Sequence, residues 1–487
     1  KNNKIFFSTY RGYDDYNFSI LGNKNYTEWG NWTNSFRWNH IYNDRIFSNA
    51  TLYSSQYNNL NKNEERVNKY RWKTEIIDIG FKYDFTHYLN NNNTLKYGIA
   101  VSKKQFNPGV VEKVDSTSIS KPFASQILNN YEFNAYISNE QTINDQLSFQ
   151  YGLRYTFFAD IGPNTKYTIK DNYGNWIDTN IYTPAGQFRD VFQSVEPRIS
   201  FKYSLNELSS IKGNISYNQQ NLHLLSNSSV GLPYDVWIPA SKEIKPQTSI
   251  QYTVGYYTEI FKKKYILNAE IYYKSMKNNI EFKENANLTL NKNIEKEILP
   301  GIGRSYGLEL YVEKPVGKFN GWISYTFADT KYKIDGINDG NWFSPRYDIR
   351  HNISLVGFYT INKRVEFSST FKYTTGGFIS FPTRSFRFDD AIFVVYEGRN
   401  GYQLPSYHRL DFGIKIKSKK YDKQRFKKEW FFNIYNVYNQ NNIFALFIKP
   451  DIGNLNDTEL HGQTNSNKAY ITYLFGIVPT IALNIKF

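Results

Sequence analysis

Apolar and polar residues alternate with a period of two along most of this 487-residue chain. Such alternation is typical of a β-strand whose two faces meet different environments. The last segment shows it most simply, since one face carries Ile481, Leu483, Ile485 and Phe487. A strand of this kind, ending on an aromatic residue, is typical of the closing strand of an outer-membrane β-barrel. We therefore expect these four residues to take part in barrel closure.

Charged residues in these segments are confined to one face. With Ile77, Ile79 and Phe81 facing outward, Asp78 and Lys82 face inward. A watery lumen tolerates such charges, whereas a lipid face does not. The same alternation recurs at 149–157, 267–273 and 410–416. The pattern alone does not say which face is wet, so a soluble sandwich with the opposite arrangement stays open.

Aromatic residues form 18% of the chain, although its mean hydropathy is only −0.60. A membrane barrel combines these two properties, because every second strand residue faces lipid and aromatic girdles lie at both interfaces. No stretch approaches the roughly 20 apolar residues of a membrane helix. A large soluble β-propeller or solenoid is the alternative on composition.

The net charge is +15 and the chain has no cysteine. Without cysteine, disulfides, zinc ribbons and thiol nucleophiles are excluded. Lysine and arginine are dispersed rather than clustered, so we expect no nucleic-acid partner. Attraction to outer-membrane lipid and anionic lipopolysaccharide explains the charge equally well, and we favour it.

The connections between the predicted strands alternate between short and long, as in membrane barrels. We predict short turns at residues 42–45, 89–93, 142–146, 206–210, 261–264, 313–318, 361–364 and 417–428. We predict long segments at 13–28, 56–70, 105–130, 160–195, 221–245, 277–304, 333–345, 375–407 and 447–468. This gives roughly 18 antiparallel strands. It also predicts short turns and a carboxyl terminus in the periplasm, with the long loops outside the cell.

Several segments resemble the barrel of TonB-dependent receptors of the Bacteroidetes type. They are Trp29–His40 before an Asn43-Asp44 turn, Leu222–Asn227 with Leu232–Pro239 and Ile244–Pro246, Gly303–Glu309, and Arg346–His351. The resemblance covers nearly the whole chain, and the Leu222–Pro246 region is its most specific part.

The resemblance implies a transmembrane barrel with 22 strands in the full protein, preceded by a globular plug. About four strands and the plug are missing from this sequence, so we expect residues 1–487 to be the carboxyl-terminal part of one barrel domain. It also implies a TonB-type energising partner that acts through the plug region. A surface lipoprotein or other outer-membrane proteins are further expected partners.

No catalytic or metal-binding arrangement is evident in the sequence. The six histidines lack the spacing of metal ligands. The adjacent acids Asp14-Asp15 and Asp389-Asp390 lack the ligand number and spacing of a Ca²⁺ loop. No nucleophile motif or convincing carboxylate pair occurs. We therefore predict neither a cofactor nor an enzyme.

Binding is the chemistry that the long segments favour. Aromatic faces and guanidinium groups together can hold an anionic or sugar-like ligand by stacking and bidentate contacts. The candidate ligand-binding residues are Tyr234, Trp237, Phe381, Arg384, Arg387 and Arg399. The alternative is that these loops pack on one another or on lipopolysaccharide.

Two functions follow from the sequence. The first is an outer-membrane receptor that binds a nutrient at its outer loops for energised import. The second is a non-transport barrel of the same lineage that serves as a structural subunit of a secretion or barrel-insertion machine.

Overall fold

Strands account for most of the fold. The computed structural model describes residues 2–20, 23–65, 68–171, 173–225, 236–284, 286, 291, 294–388, 391–396, 398–419, 421, 425–450, 467–473 and 475–486. In chain order the strands are β1 (Asn3–Ile20), β2 (Asn23–Ile41), β3 (Ile46–Glu65), β4 (Asn68–Asn90), β5 (Asn93–Lys113), β6 (Phe123–Ala124), β7 (Leu128–Thr142), β8 (Leu147–Ile161), β9 (Asn164–Lys170), β10 (Trp176–Thr183), β11 (Phe188–Ser204), β12 (Ser209–Gln220), β13 (Leu222–Leu225), β14 (Val236–Pro239), β15 (Gln247–Ile260), β16 (Tyr265–Phe282), β17 (Ile298–Lys314), β18 (Phe319–Lys333), β19 (His351–Thr360), β20 (Val365–Thr374), β21 (Phe378–Ile379), β22 (Pro382–Phe388), β23 (Ala391–Tyr396), β24 (Tyr402–Gln403), β25 (Tyr407–Lys417), β26 (Lys427–Tyr435), β27 (Ile443–Pro450), β28 (Asn467–Tyr473) and β29 (Val478–Lys486). Two 3₁₀ turns, η1 (Ile294–Glu297) and η2 (Asn338–Gly340), lie between them.

One antiparallel sheet of 19 strands dominates the fold, and one of these, β6, has only two residues. The other strands of the sheet pair with their neighbours in chain order, as β1-β2-β3-β4-β5-β7-β8-β11-β12-β15-β16-β17-β18-β19-β20-β25-β26-β29. The predicted all-β class and the number of roughly 18 long strands are confirmed.

The predicted short turns lie at one edge of the sheet, which we call the short-turn edge. Within the turn at 417–428, residues 420 and 422–424 lie outside the described residues. Asparagine shapes five of them. In each, the side-chain carbonyl accepts a backbone N–H two residues ahead, as an Asx turn requires; the residues are Asn43, Asn90, Asn144, Asn206 and Asn362. These turns fix the register of the hairpins that they close.

The cross-strand register places the apolar residues of the long strands on one common face. Phe36 lies opposite Leu52, and Leu52 lies opposite Phe81. On the last strands, Trp430 lies opposite Leu483. The side chain of Ile271 is 60% exposed on this face. A continuous exposed apolar surface of this kind is the lipid-facing side of a membrane barrel.

Hydrogen bonds and ion pairs occupy the opposite, lumen-facing side. The Lys104 ammonium lies 3.2 Å from the Glu132 carboxylate and 3.7 Å from that of Asp78. Nearby, the Tyr136 hydroxyl donates to Asp84 at 2.8 Å. The predicted assignment of Asp78 to the inner face is therefore confirmed, and the soluble arrangement with an apolar interior is wrong.

Two of the predicted long loops are strands instead. Residues 13–28 belong almost entirely to β1 and β2, and residues 56–70 to β3 and β4. The prediction was wrong because both faces of these segments are polar, so the alternation disappears. Backbone pairing continues regardless, since it does not depend on side-chain hydropathy.

The first and last strands of the sheet each have one partner within the described residues. β1 pairs with β2, and β29 pairs with β26. Ile481, Leu483 and Ile485 lie on the apolar face, whereas Phe487 lies outside the described residues. Barrel closure by these residues stays a prediction. No helix in the described ranges is long and apolar enough to cross a membrane.

Candidate functional site

The buried apolar side chains gather at the edge opposite the short turns, which we call the long-connection edge. Two clusters account for most of them in the described residues. The first loop core consists of Leu225, Ile238, Ile244, Phe282 and Ile298. The second loop core consists of Met276, Tyr332, Ile334, Ile337 and Phe343. Because Ile334 and Ile337 have no exposed surface, the connections at this edge are packed units with interiors of their own.

The first loop core joins neighbouring connections. Leu225 and Ile238 come from the β13–β14 hairpin between β12 and β15, while Phe282 and Ile298 lie at the ends of β16 and β17. His223 of the same hairpin is fully buried. Burial lowers the pKa of His223 to about 4, so its ring is neutral at ordinary pH. A neutral imidazole suits an apolar packing role here.

A buried ion pair joins the next connections. The Arg399 guanidinium donates to the Glu281 carboxylate at 2.6 Å, and both side chains are 11% exposed. The backbone N–H of Arg399 also donates to the side chain of Asn338 in η2 at 3.1 Å. The Asn400 amide donates to the backbone carbonyl of Ser344 at 2.9 Å. Three connections, β16–β17, β18–β19 and β20–β25, therefore meet around Arg399.

A cluster of charges joins the β8–β11 connection to the same group. The Lys166 ammonium donates to Glu243 and lies 3.6 Å from Asp190 and 3.8 Å from Glu295. Burial by itself lowers the pKa of Lys166, but Glu295 and the other carboxylates raise it above the usual value. Burial raises the pKa of Glu295. We call the five linked connections, β8–β11, β12–β15, β16–β17, β18–β19 and β20–β25, the loop assembly.

A buried aspartate shapes the entry into β19. Asp348 accepts the backbone N–H of Thr330 at 3.0 Å and the Ser344 hydroxyl at 3.0 Å. Its side chain has no exposed surface, and this burial raises its pKa. Arg350 lies 3.7 Å from Asp348 and 3.6 Å from Asp329. Asp348 thus ties the β18–β19 connection to the wall of the sheet.

Three of the predicted ligand-binding residues lie on the loop assembly with described side chains. The Trp237 side chain is 37% exposed. The ring of Phe381 packs on that of Tyr402 with centroids 5.1 Å apart. The third, Arg399, is engaged by Glu281. Phe381 and Arg399 are close along the fold because Asn400 donates its backbone N–H to the Ser380 hydroxyl at 3.0 Å.

The structure describes less of the other three predicted residues. Tyr234 lies outside the described residues. Arg384 and Arg387 belong to β22 and pair through their backbones with Val395 and Ile392 of β23. Ligand binding by all six residues stays a prediction.

Sequence reasoning missed the residues that hold the loop assembly together. Lys166, Glu243 and Glu295 are far apart in the sequence and carry no local pattern. Asp348 lies in the Arg346–His351 segment, whose sequence resembles the receptor family but does not indicate that this aspartate is buried. The only sequence feature that could have indicated these contacts is the repeated presence of charged residues in segments that otherwise resemble turns.

The described residues contain no group of three or more His, Cys, Asp or Glu side chains suited to a metal ion. Asp14 and Asp15 are consecutive in β1, so their side chains lie on opposite faces of the sheet. Asp389 and Asp390 lie outside the described residues. The loop assembly offers aromatic contact, cation–π contact and hydrogen bonding. One example is the Arg304 guanidinium, which lies 4.5 Å from the Trp342 ring centroid.

Comparison with known proteins gives a family match. The family model described as TonB dependent receptor-like, beta-barrel, matches residues 2–437. No curated protein matches the sequence.

Solved structures of similar fold are bacterial receptors. The ferric yersiniabactin uptake receptor FyuA of Yersinia pestis is 12% identical, with a TM-score of 0.64 over 100% of this chain and 68% of that one. The ferric-catecholate import receptor Fiu of E. coli K12 is 14% identical, with a TM-score of 0.58 over 86% of this chain and 61% of that one. The ferric preacinetobactin receptor BauA of Acinetobacter baumannii is 11% identical, with a TM-score of 0.60 over 99% of this chain and 70% of that one. At these identities the likeness concerns the fold.

Proposed function

The chain belongs to the TonB-dependent receptor-like beta-barrel family, and from this premise we propose that it forms the wall of an outer-membrane receptor for energised nutrient import. The matched part of the chain spans about three fifths of the first similar structure, 61% of its length. Substrate, energising partner and transport are therefore proposals for the whole protein.

The loop assembly is the observation that carries this proposal. A structural barrel needs only short connections, whereas here five long connections are packed and linked by the Glu281–Arg399 and Lys166–Glu243 pairs. Long, ordered loops on a rigid scaffold are where binding sites are usually found. We propose that the long-connection edge faces the exterior and that the short turns and the carboxyl terminus face the periplasm.

A ferric chelate is the first ligand class to test. Fiu is a ferric-catecholate import receptor, BauA a ferric preacinetobactin receptor and FyuA a ferric yersiniabactin uptake receptor. The exposed Trp237 and the paired rings of Phe381 and Tyr402 offer aromatic faces for such a ligand. Sugars and cobalamin are the next classes, because stacking and hydrogen bonding serve them too.

The proposed energy source is a TonB-type protein that acts through a plug region. A surface lipoprotein that helps to capture the ligand is a further expected partner.

Uptake by a deletion strain tests the proposal. We expect loss of growth on one ferric chelate, cobalamin or oligosaccharide as the sole source, with recovery when the full-length gene is restored. A Trp237→Ala and Phe381→Ala double variant should recover less, while a Tyr173→Ala control, at an exposed ring elsewhere at the long-connection edge, should recover fully. Unchanged uptake of all three classes in the deletion strain would argue against import.

Copurification from native membranes tests the structural alternative. A fixed stoichiometric complex with secretion or barrel-insertion proteins would favour it. A solitary barrel, or a barrel with one surface lipoprotein, would favour import.

A further inference from the structure

The positive charge of the short-turn edge lies on one half of the sheet. The turns that join β2 to β3, β4 to β5, β7 to β8 and β11 to β12 contain one cation, Arg45. They also contain three carboxylates, those of Asp44, Asp145 and Glu207. The turns that join β15 to β16, β17 to β18, β19 to β20 and β25 to β26 all contain lysine and, among their described residues, no carboxylate. Since the β16–β17, β18–β19 and β20–β25 pairs link these four turns, their cations are neighbours in space.

Six lysines at or beside these four turns are exposed and have no ion-pair partner among the described residues. They are Lys262, Lys264, Lys318, Lys363, Lys419 and Lys428, and we call them the basic arc. Other cations there are engaged. For example, Lys314 lies over the ring of Phe319, and Arg364 donates to the backbone carbonyl of Lys417 at 3.1 Å. The basic arc is thus the part of this charge that is available to a partner.

The β15–β16 turn holds its lysines in a strained backbone conformation. The φ angles of Phe261, Lys262 and Lys263 are 52°, 58° and 65°. This left-handed region is unfavourable for residues other than glycine, asparagine and aspartate. Asparagine shapes turns of the other half, such as that at Asn144. Lysine at positions where asparagine or glycine would be less strained indicates that the charge itself has a use.

The extent of the basic arc favours a long partner over a small anion. Strands of a sheet are about 4.8 Å apart, so successive turns lie about 10 Å apart and the four turns cover roughly 30 Å. A single phosphate or phospholipid head group reaches one turn only. A leaflet of anionic phospholipid meets every turn around the barrel, so it does not explain a charge confined to one half. An extended polyanion on one side of the barrel fits both observations.

The residue type favours a polymer over a folded protein. All six side chains of the basic arc are lysines. Interfaces between folded proteins are poor in lysine and rich in arginine and aromatic residues. A lysine ammonium is a strongly hydrated point charge on a flexible stem, so it suits repeated negative charges that have no fixed geometry. The basic arc therefore fits a flexible polyanion better than a shaped acidic surface.

We infer that the basic arc binds the carboxylate-bearing stem peptides of peptidoglycan, the polymer that lies beneath the outer membrane. The inference rests on the proposed orientation, in which the short turns face the periplasm. Ammonium groups of successive turns would contact carboxylates along the polymer, and one side of the barrel would be held against the cell wall. Part of the net charge of +15 then serves the periplasmic side, away from lipopolysaccharide.

Cosedimentation of the detergent-solubilised full-length protein with purified peptidoglycan sacculi tests the inference. The probes are intact sacculi and sacculi whose carboxylates have been converted to amides with a carbodiimide and ethanolamine. The Lys262→Gln, Lys318→Gln, Lys363→Gln variant should bind intact sacculi about tenfold more weakly, because three exposed ion pairs of modest strength are lost together. Amidated sacculi should bind the unaltered protein as weakly as intact sacculi bind the variant.

A matched control removes the same charge from the long-connection edge. The Lys24→Gln, Lys121→Gln, Lys333→Gln variant changes three exposed lysines there and should bind intact sacculi normally. Unheated gel mobility reports whether each variant is folded. Equal binding by the arc variant and the unaltered protein would overturn the inference, as would equal loss in the control.

Photo-crosslinking in living cells distinguishes the possible occupants. A photoreactive residue in place of Lys363 should give a ladder of products that collapses after lysozyme digestion of the polymer. One discrete band that resists lysozyme would identify a protein partner and overturn the inference. Phosphatidylglycerol added to the detergent micelles should release no more protein from sacculi than phosphatidylcholine does. Selective release by phosphatidylglycerol would identify a lipid site and would also overturn the inference.

Two measurements separate this inference from the proposed function. Because the chain has no cysteine, Lys363→Cys and Lys121→Cys variants report which side of the membrane each edge faces. An impermeant maleimide should label only Lys121→Cys in intact cells and both variants after permeabilisation. Labelling of Lys363→Cys in intact cells would overturn the orientation and the inference together. Nutrient uptake by the arc variant should stay normal, so a failure to bind sacculi in correctly oriented protein would overturn this inference alone.

Discussion

The two edges of the sheet are stabilised by different kinds of contact. Near the short turns, apolar side chains such as Ile271 point away from the protein, and polar side chains such as Glu270 point into the lumen. At the long-connection edge, apolar side chains such as Ile334 are buried and charges are paired. The first region depends on lipid for its apolar contacts, while the second carries a core of its own. The apolar side chains are thus exposed to lipid near one edge, as in a membrane protein, and buried at the other edge, as in a water-soluble protein.

A charge on the outer face should produce the largest effect. Val254 lies in the middle of β15 and is 50% exposed on the apolar face. Val254→Arg should lower the free energy of unfolding in lipid vesicles by about 2–4 kcal/mol, because the guanidinium meets hydrocarbon. The matched variant Thr253→Arg, on the lumen face, should cost far less. Equal losses in urea titrations would contradict the assignment of faces.

A cavity in the second loop core should come next. Ile334→Ala should destabilise the β18–β19 connection by about 2–3 kcal/mol, since the buried side chain leaves a space that its neighbours fill only in part. Hydrogen exchange of residues 334–350 measures the loss. Ile271→Ala, on the lipid face, should cost about half as much, because lipid fills the gap. A barrel that melts as a whole in the first variant would show that the loops lack independent packing.

Removal of the buried arginine should have an intermediate effect. Arg399→Gln leaves the Glu281 carboxylate buried without its cation, so we expect the connections around it to lose about 1–2 kcal/mol of local stability. The double variant with Glu281→Gln should regain part of that loss, because an amide pair carries no unpaired charge. Hydrogen exchange of residues 375–381 and 398–406 reports the difference. No regain would mean that the pair acts through packing alone.

The pH dependence of the Lys166 cluster should be the smallest effect. The pKa of Glu295 is raised in the folded protein by burial, so the folded state keeps a proton that the unfolded chain releases above about pH 4.3. Stability of the cluster therefore falls as pH rises from that value through the folded pKa. Lys166 does not contribute in this range, because its pKa is raised from an already high value.

Glu295→Gln should flatten this dependence. Hydrogen exchange of residues 294–297 at pH 5 and pH 8, corrected for intrinsic rates, checks the slope. An unchanged slope would contradict the assignment of this dependence to the Glu295 carboxyl group.

The sequence predicts the long strands and their short turns well and the loop assembly poorly, for a physical reason. The faces of the strands and the short turns depend on residues near one another in the chain, such as Asn144 and Gln146. The loop assembly depends on pairs such as Glu281 and Arg399, which are 118 residues apart. Nothing local to Arg399 distinguishes a ligand-binding arginine from one that is paired within the protein. The ends of β1 to β4 at the long-connection edge were predicted as loops for a related reason. Apolar and polar residues alternate only along the part of a strand that faces lipid, and these ends are polar on both faces.

The asparagine turns have a further consequence for how the chain assembles. Each of them fixes the pairing of one hairpin through a contact that spans only two residues. A slip of one residue would turn every apolar side chain of a strand toward the lumen and every charged one toward hydrocarbon. The bilayer would reject such a hairpin at a cost of several kcal/mol. A hairpin in the wrong register is therefore disfavoured twice, once by its asparagine turn and once by the bilayer.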